Sequence, residues 1–97
     1  MTAKSKEEIV AEGKEAMDLL QSPIFRAAVL QTQESISERW VLADTTAKRE
    51  DLHAQRSALE LVVEELMTFA NNGKQTQYAI DAENNRRGPG TSQRQGA

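Results

Sequence analysis

Leucine recurs at Leu52, Leu59 and Leu66, every seventh residue, with Val62 or Val63 and Phe69 or Ala70 available at the intermediate positions. A seven-residue apolar repeat draws one stripe along a helix, and that stripe is stable only when a second helix covers it. The chain is therefore constrained to a helical pair from the outset. Gln55 and Arg56 stand where a further apolar residue belongs, close to the start of this helix. At its far end "NNG" reads as a stop, with Gly73 placed for the left-handed residue of a C-cap. "KQTQYAIDAENNRR" then suits a further short helix burying Tyr78 and Ile80.

The partner helix lies upstream. In "QSPIF" the residue before proline is pushed out of the α region, which ends one helix, and Ser22 as N-cap with Pro23 at N1 begins the next. That helix is expected from Pro23 to about Ala43, roughly 30 Å at 1.5 Å per residue. Phe25, Val29, Thr32, Ile36, Trp40 and Ala43 step by threes and fours along one face, with Arg26, Gln33 and Ser37 opposite. Asp44, Thr45 or Thr46 can cap the helix that follows, across a short turn. Ahead of Pro23, Ser5 and Glu8 have capping-box spacing, and Ile9, Val10, Ala16, Met17 and Leu20 form a broad stripe. Gly13 weakens the middle of this first helix by about 1 kcal/mol relative to alanine. The expected fold is all-α: an antiparallel hairpin of two long helices, an additional N-terminal helix and a short C-terminal helix. Residues 1–83 form one helical domain, and residues 84–97 a basic, glycine-containing flexible tail.

Composition says how such a fold is completed. A chain of 97 residues buries only about 60–65 % of the surface its unfolded form exposes, so the core is thin. Its aromatics are limited to Phe25, Trp40, Phe69 and Tyr78, and added stability is expected from self-association or a partner. Without cysteine there are no disulfides or thiolate sites, and a single histidine rules out a multi-histidine metal site within one chain. No apolar run approaches the roughly 20 residues of a membrane span, so no membrane partner is expected. The net charge of −3 is unevenly spread: residues 1–83 carry 15 acids against 9 bases, giving −6, while Arg86, Arg87 and Arg94 give the remainder +3. An acidic body repels nucleic acid at long range, and only the arginine tail offers a possible phosphate contact.

Few residues invite a chemical reading. His53 has Asp51, Lys48, Arg49 and Arg56 nearby, yet general-base chemistry needs a nucleophile and an oxyanion donor on the same side of the helix, and the sequence offers neither. It is expected to be a partly buried structural histidine beside a charged hairpin turn. Trp40, flanked by Glu38 and Arg39, fits either an interface anchor or a residue closing the open end of the hairpin core. The pairs Glu7, Glu8 and Glu64, Glu65 point apart on a helix and read as solvated surface. With no glycine-rich phosphate loop, HExxH or serine elbow, neither enzymatic activity nor a cofactor is expected.

"AMDLLQSPIFRAAV", then "ERW", a short turn, "KREDLHAQRSALELVVEEL" and "NNGKQTQYAIDAENNRR" together resemble small helical-hairpin proteins encoded among the head and packaging genes of tailed bacteriophages. The resemblance spans about residues 15–87 and leaves Gly88 to Ala97 outside. It implies a non-enzymatic structural or assembly protein of a virus particle, found in the virion or the host cytoplasm. Its partner is then its own copies, a larger head or connector protein, or both. Most members of the group have no assigned activity, so no functional residue carries over. Phe25, Ile36, Trp40, Leu52, Leu59, Val62, Leu66 and Phe69 are the expected core, and Ile9, Val10, Met17, Tyr78 and Ile80 the expected outward contacts. Two alternative roles fit the same residues: a DNA-packaging accessory acting through Arg86, Arg87 and Arg94, and a small acidic inhibitor of a host enzyme.

Overall fold

The computed structural model describes residues 3–87, and these form three helices and no strand: α1 (Lys6–Gln21), α2 (Pro23–Leu42) and α3 (Thr46–Arg87). Local chemistry sets each start. The Ser5 hydroxyl accepts from the Glu8 amide at 3.1 Å while the Glu8 carboxylate accepts from the Ser5 amide at 2.8 Å, closing a capping box. Ser22 is extended (φ −64°, ψ 125°); its amide donates to the Leu19 carbonyl at 3.0 Å, and its hydroxyl accepts from the Phe25 amide at 3.4 Å. One residue thus ends α1 and begins α2, because proline at the next position bars an uninterrupted helix. Thr45 is the residue among the three candidates that caps α3, its hydroxyl accepting from the Lys48 amide at 3.2 Å.

The chain is long and thin. Its radius of gyration is 21.1 Å, with extents of 72 × 33 × 15 Å, whereas a compact domain of this length has a radius of about 13 Å. The reason is α3, whose 42 residues reach about 63 Å. α1 lies antiparallel on its C-terminal half: Ile9 and Gly13 meet Gly73, and Ala16 and Leu19 stand beside Leu66. α2 meets the N-terminal half near the turn, where Ile36, Ala43 and Leu52 form a small buried cluster. The turn is tied by Arg49, which donates to the Ala43 carbonyl at 3.2 Å, and by a Lys48–Asp44 ion pair at 2.8 Å.

Three expectations change. α3 does not stop at "NNG": residues 74–87 continue it, so there is no separate short C-terminal helix, and residues 84–87, expected in the tail, are helical, the rest of the tail lying outside the described residues. Gly73 keeps an ordinary helical backbone and faces Gly13, where a Cβ on Gly73 would come 2.8 Å from the Gly13 Cα. Both glycines serve a close helix approach, and the packing gained there offsets their poor helix propensity. Second, the larger helix–helix interface joins α1 to α3 rather than α2 to α3. Third, the expected core is only partly buried. Ile36 and Leu52 are inside and Phe25, Leu59 and Leu66 half-buried, whereas Trp40, Val62 and Phe69 are exposed. Between the alternatives at the intermediate positions, Val63 and Ala70 turn inward.

Candidate interaction surface

α3 has one helix beside it at each level, α2 first and α1 later, so a single seam runs down the molecule with both flanks open. Ala16, Ile36, Ala43, Leu52 and Ala70 are the buried apolar residues of the described chain, and no large side chain is fully enclosed. Apolar groups therefore remain in water on either side of the seam. Val41 and Leu42 are each 80 % exposed, Tyr78 67 % and Met67 51 %. α2 and α3 contribute equally, and on α2 Ile24, Leu30, Val41 and Leu42 stand exposed outside the expected stripe, so its apolar residues lie all round rather than along one face.

The expected outward contacts sort by position. Ile9, Val10 and Met17 are half-buried at the edge of the α1–α3 seam, and Ile80 is half-buried on α3, while Tyr78 stands well out. Val10, Met17 and Tyr78 line one groove of about 230 Å³ whose floor is Gly13, Ala70 and Gly73 and whose rim carries Lys14 and Lys74. On the other flank Ile9 lies beside Phe69, and the Lys4 ammonium sits 5.2 Å from the Phe69 ring centre while pairing with Glu12 at 2.9 Å.

At the opposite end of α3, Trp40 and Val41 share an open cleft with Leu52, His53 and Arg56. His53 is exposed there, not tucked into the seam, because α2 and α3 touch through Ile36 and Leu52 and leave the next position free. Across the seam Arg39 donates to the Gln55 side chain at 3.2 Å, which accounts for a polar residue interrupting the apolar repeat. Arg86 and Arg87 fall in the last turn of α3, and Arg94 lies outside the described residues.

The Glu8 carboxyl is held below the usual 4.5 by the hydrogen bond from the Ser5 backbone, then by the Ser5 hydroxyl, with Lys4 adding a smaller pull. Among the described residues no group of three or more His, Asp or Glu side chains is arranged to hold a metal ion, and no helix is long and apolar enough to cross a membrane. The chain matches no family model, no curated protein and no solved structure.

Proposed function

We propose that this chain is a non-enzymatic assembly protein that packs through its helical surfaces against copies of itself or a larger protein, in the manner of the phage head components its sequence resembles. The observation that carries the reading is the incomplete core: a rod of helix pairs with no large side chain fully enclosed among the described residues, and with tryptophan, tyrosine, valine and leucine standing in water. Such a chain gains stability when another polypeptide covers its flanks. The test is quantitative mass spectrometry of gradient-purified virus particles, with this chain's peptides scaled to those of the major capsid protein. A fixed copy number per particle is the expected result; loss of the chain from purified particles would remove the virion role.

A further inference from the structure

One flank of α3 carries a pattern that the seam does not use. Starting at His53 and continuing through Arg56, Glu60, Met67, Lys74, Tyr78 and Asp81, the intervals are 3, 4, 7, 7, 4 and 3 residues, a palindrome about Met67. Intervals of three, four and seven keep all of these on one side of a helix. The helix is unbroken across the whole stretch, and every member is exposed.

We infer that this flank is the interface of a two-fold symmetric dimer, in which α3 of a second copy lies antiparallel across it with Met67 against Met67. Two-fold pairing is isologous, so a residue a given number of positions before Met67 meets the one equally far after it. Glu60 then faces Lys74, Arg56 faces Tyr78, and His53 faces Asp81. Each pair is chemically matched: carboxylate with ammonium, guanidinium with an aromatic ring, imidazole with carboxylate. A parallel pairing would instead oppose Glu60 to Glu60 and Lys74 to Lys74.

The two other helices support the same arrangement. Trp40 and Val41 share the cleft of His53 and Arg56, and the apolar groove of Val10 and Met17 adjoins Tyr78. Arg56 and Tyr78 each stand 11 residues from Met67, about 16 Å along the axis. The two-fold therefore brings the exposed tryptophan of one copy over the groove of the other. Lys14 and Lys74, which have no ion-pair partner within the described residues, meet the Glu60 and Glu64 end of the second copy. The strip from His53 to Asp81 is roughly 42 Å long and about 10 Å wide. It supplies about half of the ~800 Å² that each partner of a standard interface buries, and the flanking residues of α1 and α2 add to it.

The inference rests on the assembly reading only for self-association, and it is tested separately on the purified full chain. The chain has no cysteine, so single cysteines report on geometry directly. Met67→Cys is expected to form a disulfide-linked dimer under mild oxidation. A mixture of Glu60→Cys and Lys74→Cys chains should give the mixed disulfide, and Glu60→Cys alone should give none. In sedimentation, Glu60→Lys should weaken the dimer about tenfold, because two symmetry-related pairs become repulsive, and Glu60→Lys with Lys74→Glu should restore it. A chain that stays monomeric to about 1 mM, the limit of weak binding, would overturn the inference. So would a Glu60→Cys homodimer, or failure of the Met67→Cys link. In those cases a particle copy number could still uphold the assembly reading with another protein as partner.

Discussion

Gly13 of α1 and Gly73 of α3 face each other so closely that a Cβ on Gly13 would stand 2.7 Å from the Gly73 Cα. This approach fixes how α1 lies on α3, because any side chain at either position meets backbone, which cannot rotate away. The same crossing lies on the floor of the groove in which Val10, Met17 and Tyr78 are gathered.

Replacing either glycine by alanine is therefore expected to destabilise the chain. In a free helix the change stabilises by about 1 kcal/mol, but overpacking against backbone costs about 1–3 kcal/mol, leaving a net loss of up to about 2 kcal/mol. Urea unfolding of Gly13→Ala and Gly73→Ala reads the sign. A stabilised variant would mean that α1 does not sit on α3 at this crossing.

The capping box makes α1 sensitive to acid. A carboxyl whose folded pKa lies below its ordinary value contributes stability that is present above that ordinary value, here 4.5, and is lost as pH falls through the folded pKa. Helicity followed by circular dichroism should decline over this acidic range in the native chain, with a smaller decline in Glu8→Gln. Identical acid profiles for the two chains would exclude Glu8 as the source.

Burial near the turn is concentrated in Ile36 and Leu52. Truncating either to alanine is expected to cost about 2–5 kcal/mol. Val41→Ala, at a residue 80 % exposed, should stay within about 0.5 kcal/mol at dilute concentration. Thermal unfolding of the three variants provides the comparison; equal losses would contradict the burial pattern.

Trp40 is the single tryptophan and is 44 % exposed. Its emission should be quenched by iodide in dilute solution, and the quenching should fall as protein concentration rises and a second copy covers the cleft it shares with Arg56. Quenching independent of concentration in a sample that sedimentation shows to be associating would place the contact elsewhere.

Helix starts were legible in the residues because capping chemistry is local. The Ser5–Glu8 box and Ser22 with Pro23 at N1 stand where their spacing indicated, and the third cap falls on Thr45, one of the three candidates Asp44, Thr45 and Thr46. The apolar seven-residue repeat also marked α3 and its need for a partner. The sequence left open whether Val62 or Val63, and Phe69 or Ala70, faces inward, since adjacent positions serve a stripe about equally well until the neighbouring helix takes its angle. Gly73 was open in the same way. A glycine after two asparagines suits a helix end, and only the presence of Gly13 across the interface makes a helical Gly73 the better arrangement. The seam itself was decided tertiarily: α1, a short helix weakened by its glycine, covers more of α3 than the longer α2 does, because that glycine lets the two backbones meet.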